Sequence, residues 1–211
     1  MRGSPAAAPG ASRGISWLHL VPVALLFVWS LALARAERPY PFIDWVNLAF
    51  HEAGHLFLRP FGQTLHILGG TLMQLFVPAL LVGYFLLKQE KPLSSAICLW
   101  WFGENFINIS VYMADARDLK LALVGGGEHD WTQLFYQFGL LGPEPVARIA
   151  AGTHHLGVLV MLAAVAWAGA FALPPEVRAS LRDRLAEKAP ALGGLLGPEA
   201  ETSCGSSGRR F

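Results

Sequence analysis

Apolar runs alternate with short polar breaks along the chain, at Ile15–Ala34, Phe42–Leu58, Leu65–Leu87, Leu93–Ala114 and Ile149–Leu173. The first is twenty residues without Asp, Glu, Lys or Arg. At about 1.5 Å per residue it reaches roughly 30 Å, the thickness of a hydrocarbon core. The third is equally free of formal charge but is punctuated by Gly69-Gly70, Gln74 and Pro78. The fourth is interrupted by Glu104, Asn105 and Asn108, and the fifth carries His154-His155. Arg35 to Pro41, Arg59-Pro60, Lys88 to Pro92 and Pro174-Pro175 supply the breaks. This pattern predicts an all-α, polytopic membrane helix bundle of about five transmembrane helices. Trp131 to Leu141 has the apolar spacing of a short helix lying at the interface. Glu176 to Lys188 is a further amphipathic stretch. The first run also admits a secretory signal reading, because Arg2 and Arg13 precede it and Ala34-Arg35-Ala36 resembles a cleavage site. Its length favours a retained span.

Composition agrees with lipid as the solvent: 54% of the 211 residues are hydrophobic and 15% are charged. A net charge of +1 with no basic, aromatic-laced patch gives no reason to expect a nucleic-acid partner. Cys98 and Cys204 are expected as free thiols, so any metal must be held by His and carboxylate. Residues 1–14 are small, Pro/Gly-rich and expected to be disordered. Residues 15–173 form the transmembrane domain, and residues 174–211 an amphipathic helix followed by a disordered Gly/Ser-rich tail. Five spans place the chain ends on opposite sides, and the Lys/Arg excess of the tail puts the C-terminus in the cytoplasm. The expected location is multi-pass in a bacterial inner membrane.

The second run holds His51-Glu52-Ala53-Gly54-His55. On a helix the two imidazoles lie four residues apart on one face, where they can share a Zn²⁺ while Glu52 reaches the attacking water. Asp44, Asn47, His51 and His55 fall within an arc of about 80°, a polar stripe that lipid cannot satisfy. A catalytic zinc needs a third protein ligand. The fourth run offers Glu104, Asn108, Tyr112 and Asp115 within a similar arc of about 80°, and Asp115 at its end is the favoured donor. Asp118, His129 and Asp130 are the alternatives. Gly125-Gly126-Gly127-Glu128-His129-Asp130 reads as a specially shaped loop that supplies a ligand, a supporting carboxylate or a lid, with Asp130 also suited to cap the next helix. His154 and His155 point about 100° apart and fit a structural role better than shared ligation. His66 is expected to be packed or interfacial, and Gly69-Gly70 to allow close packing beside the site.

The helix bearing His51-Glu52-x-x-His55, the following Gly69-Gly70 segment and the later Asn108 and Asp115 resemble the site-2 protease family of intramembrane zinc metalloproteases. The similarity covers about residues 42–118, with the pentad as its specific signal. The resemblance implies zinc on His51, His55 and Asp115, Glu52 as the water-activating base, and Asn108 as a substrate or oxyanion contact. It also implies a transmembrane or juxtamembrane peptide substrate, with membrane lipid as the surrounding partner. In this chain Asp115 is followed by Ala116 where the family has Gly, and the Gly125-to-Trp131 segment has no assigned counterpart. Two other function classes share the same residues: a membrane zinc hydrolase of lipids or small amides, and a non-enzymatic scaffold stabilised by its metal.

Overall fold

A computed structural model describes residues 17–35, 42–124 and 128–188. The segments expected to be disordered at each end, the possible cleavage point after Ala36, the glycine triplet and Cys204 lie outside the described residues. Every regular element among the described residues is helical. In order they are α1 (Trp17–Arg35), α2 (Ile43–Leu58), a 3₁₀ turn (Arg59–Phe61), α3 (Gln63–Leu87), α4 (Pro92–Asp115), α5 (Asp130–Gln137), α6 (Pro143–Ala172) and α7 (Pro175–Lys188). The apolar runs therefore appear as α1 to α4 and α6, and the expected interfacial stretch as the shorter α5. Residues 17–171 form one compact unit, and α7 belongs to a second.

Breaks in the pattern act where their chemistry requires. Arg59-Pro60 ends α2 in the 3₁₀ turn, and Gly62, at φ 100°, makes the reversal into α3 that a side chain would resist. Pro92 opens α4 at a position where its missing N–H costs nothing. Among the described residues two helices, Gln63–Leu87 and Pro143–Ala172, are long and apolar enough to cross a membrane. At 16 residues α2 rises only about 24 Å, short of a hydrocarbon core of about 30 Å.

Two glycine contacts let helices approach closely. A Cβ at Gly54 of α2 would stand 2.0 Å from the Gly69 carbonyl oxygen of α3, and a Cβ at Gly157 of α6 would stand 2.7 Å from that of Gly103 of α4. Apolar packing fills around these crossings. Leu33, Trp100, Ile107, Met161 and Ala164 join α1, α4 and α6, while Ile109, Met113, Phe135, Val146 and Ala150 join α4, α5 and α6. The Trp100 indole N–H donates to Ser30 Oγ at 2.7 Å, and His154 Nε2–H donates to the Ala34 carbonyl at 3.3 Å. His154 is thus a bundle contact. Cys98 is a buried free thiol.

Polarity is distributed in an unusual way. Asn47, His51, Gln74, Glu104 and Asn105 are buried, while Leu25, Val28, Leu56, Phe57, Phe76, Leu80 and Leu159 are exposed. Isolated apolar residues are normal on a protein surface, but large apolar side chains across several helices around a polar interior suit an apolar surrounding.

Candidate metal centre

The polar stripe of α2 faces inward. His51 and Asn47 are buried, and His55 and Asp44 are half-buried. His51 and His55 present their Nε2 atoms to one oxygen, Asp130 Oδ2, at 2.9 and 3.1 Å. Donor atoms from His51, His55 and Asp130 all lie within 4.8 Å of one another. These three residues form a group that can hold a metal ion. Their side chains are an imidazole pair and a carboxylate, a donor set suited to zinc.

Each imidazole is also held from behind. His55 Nδ1 lies 2.8 Å from the His66 carbonyl oxygen, and His66 Nδ1 lies 2.9 Å from that of His55, a reciprocal clasp between α2 and α3. A carbonyl oxygen only accepts, so His55 carries its proton on Nδ1 and, as a neutral ring, offers a bare Nε2. His51 Nδ1 lies 2.8 Å from Gln74 Oε1. Gly70 provides the floor under this ring, since a Cβ there would stand 2.4 to 2.6 Å from three imidazole atoms.

Asp130 reaches the site because the cap of α5 falls one residue earlier than expected. His129 is the N-cap, and its Nδ1 accepts from the Thr132 N–H at 3.3 Å. Asp130 becomes the first helical residue, and its carboxylate is left for the two histidines. Its own N–H donates to the Tyr112 hydroxyl oxygen at 3.2 Å, anchoring the turn to α4. Burial raises the Asp130 pKa, but contacts with His51 and His55 outweigh it and hold the group at about 2. The carboxylate is therefore ionised at neutral pH. Burial lowers the His129 pKa, with Asp115 and Asp130 pulling the other way, which favours a neutral ring. That ring lies against Tyr112, with centroids 4.1 Å apart.

Asp115, the favoured third donor from the sequence, stands outside the His51–His55–Asp130 group. Its oxygens accept from the Lys120 and Leu121 N–H groups at 2.9 and 3.0 Å, across a turn in which Leu119 has φ 52°. Holding that turn occupies the carboxylate. His129 Nε2 is 3.7 Å from Asp115 Oδ2 and makes no hydrogen bond. Asp118 is exposed and pairs with Lys120 at 2.7 Å. Of the alternatives considered for the third donor, the structure brings Asp130 to the histidines.

Glu52 is exposed beside the cluster, and its charge acts on His55 and Tyr112. Asn108 sits deeper, with its Oδ1 accepting from Gln74 Nε2 at 3.2 Å. Asn47 Nδ2 donates to Glu104 at 2.9 Å, and the Trp101 indole N–H donates to Asn47 Oδ1 at 2.7 Å. Gln74, His66 and Tyr112 are contributors that the motif alone does not reveal. Gln74 was signalled by being the amide in an otherwise apolar run. His66 carried no periodic signal, because it meets His55 through a helix-to-helix turn. Compared with protein-family models, curated proteins and solved structures, the chain matches none.

Proposed function

We propose that this protein is a membrane-embedded zinc metallopeptidase that cleaves peptide bonds in or near transmembrane segments, with the ion held by His51, His55 and Asp130. The observation that carries the reading is the convergence of two imidazole Nε2 atoms on one ionised carboxylate oxygen. With Nδ1–H of His55 given to a carbonyl, its Nε2 meets a carboxylate oxygen that has no proton to give. Such an arrangement is repulsive unless a cation lies between the donors or the rings are protonated. Three protein donors leave a fourth position open, as a catalytic zinc requires and a closed structural site does not.

A zinc ion at these donors supplies Lewis acidity, favouring ionisation of the attacking water and polarising the scissile carbonyl. Glu52 takes the water's proton and returns it to the leaving amine. Its exposure beside the cluster suits a group that must meet both water and substrate. The Tyr112 hydroxyl, already beside Asp130, is placed to hydrogen-bond a developing oxyanion. The buried polar interior and apolar exterior support a five-span bundle in which a locally unwound membrane peptide is the substrate, since an intact helix conceals its amides.

The test is metal content and peptide cleavage of purified protein, wild type against Glu52→Gln. The expected result is about one zinc per chain in both, with cleavage lost in the variant. Equal cleavage, or no cleavage by either while zinc is retained, overturns the peptidase reading in favour of a metal-stabilised scaffold. Turnover confined to lipid amides would give the site to a hydrolase of another class.

A further inference from the structure

We propose that Gln74 is a positioning residue that fixes His51 in its metal-binding tautomer, through a chain of amides anchored on the backbone carbonyl of Trp101. The inference rests on the metal-site reading above. It begins at an atom whose role is unambiguous: the Trp101 carbonyl oxygen can only accept. Asn105 Nδ2 lies 2.9 Å from it, four residues along the same helix. The amino group of Asn105 therefore faces Trp101, and its Oδ1 faces the opposite way, toward Gln74. One end of the Gln74 amide lies 3.2 Å from Asn105 Oδ1 and 3.2 Å from Asn108 Oδ1. Only an NH₂ group can satisfy two such acceptors, so that end is Nε2. The other end, Oε1, then faces His51 Nδ1 at 2.8 Å and must accept. His51 carries its proton on Nδ1, and its Nε2 electron pair points toward Asp130.

Burial makes the chain binding. Gln74 is 3% exposed and Asn105 0%, so water cannot substitute for a mismatched partner. A reversed Gln74 would set its oxygen against those of Asn105 and Asn108 and, by donating to His51 Nδ1, would select the opposite tautomer. Gly70 beneath the imidazole limits the ring's escape. His55 gets the same result from a backbone carbonyl, whereas His51 has no carbonyl behind it and depends on three side chains instead. Partners behind a metal-bound histidine typically contribute 10–100-fold to affinity.

The test uses the full chain in detergent or nanodiscs, with ¹⁵N-labelled histidine and the His51 signals assigned by their loss in His51→Ala. In metal-free wild type, His51 is expected to carry a proton on Nδ1, with Nε2 free to take a second proton toward Asp130. Gln74→Met, close in size but without an acceptor, should give mixed His51 tautomers and bind zinc about 10–100-fold more weakly. Gln74→Glu, held protonated by burial, keeps an acceptor for His51 and one O–H donor for Asn105, and should restore the Nδ1–H form and much of the affinity. A wild-type His51 with a bare Nδ1 overturns the proposal before any variant is made. So does Gln74→Met with unchanged tautomer or unchanged zinc affinity. If wild type shows the Nδ1–H form but binds no zinc, the metal reading fails separately and takes the positioning role with it.

Discussion

Asp130 and Asp115 are both buried carboxylates near His129, but they meet different partners. Asp130 faces two imidazoles, whereas Asp115 faces two backbone N–H groups of a tight turn. Asp130→Asn removes the charge with little change in shape and should weaken zinc binding by more than about 100-fold, beyond what loss of a supporting residue costs. Asp115→Ala strands the two N–H groups and should cost about 1–3 kcal/mol of stability, with a much smaller loss of zinc affinity. Isothermal titration and thermal unfolding of the two variants separate these effects, and the reverse ranking would return the third ligand to Asp115. The histidine pair was legible from sequence because its spacing matches the helical repeat. The carboxylate that joins them was only one of several alternatives, because the choice depends on which residue caps α5. Asp and His can both cap, and the local pattern does not say that His129 takes the task and frees Asp130.

At the scale of elements, the site exists because α2 and α3 nearly touch. Gly54 and Gly69 bring their backbones together, and Gly70 leaves room for the His51 ring. Gly54→Ala places a methyl against a backbone carbonyl that cannot yield locally, so α2 and α3 must separate. A loss of at least about 1–3 kcal/mol is expected, with zinc binding impaired as His55 and His66 part. Gly157→Ala opposes Gly103 in the α4–α6 crossing and should cost a similar amount while leaving zinc affinity close to wild type. Chemical denaturation and zinc titration of both variants check the contrast, and equal loss of affinity would mean the two crossings are coupled. Most helices were legible to within a few residues, because apolar runs end where proline, glycine and charge interrupt them, but α6 starts at Pro143, six residues before its apolar run, through a polar turn holding Glu144 and Arg148. The sequence placed Gly69-Gly70 beside the site, but the residues they contact emerge only from helix packing. The interfacial helix came out shorter than its apolar spacing, ending at Gln137 before Gly139 at φ 68° turns the chain.

For the whole molecule, the order of the helices makes a claim about sidedness. His51 and His55 lie in the C-terminal half of α2, the His66 clasp is near the start of α3, and Asp130 opens α5 after the end of α4. In the proposed five-span bundle these ends would share one side, with Arg59, Lys120 and Arg148. Lys88 and Lys91 would fall on the other side, where an odd number of spans also puts the Lys and Arg of the tail. If so, the positive-inside rule would put that other side in the cytoplasm, and the proposed metal centre toward the outer face. In oriented membrane vesicles, a membrane-impermeant chelator added at the outer face is expected to strip the zinc, and the same chelator enclosed at the cytoplasmic face to leave it. Cysteines introduced at Lys120 and Lys88, with Cys204→Ser as background, should label from opposite sides. Both positions are exposed, so labelling reports location rather than burial. Labelling from the same side would remove at least one crossing between them and, with it, the five-span arrangement. Zinc stripped only from the cytoplasmic face, with labels still on opposite sides, would keep the spans and invert the molecule.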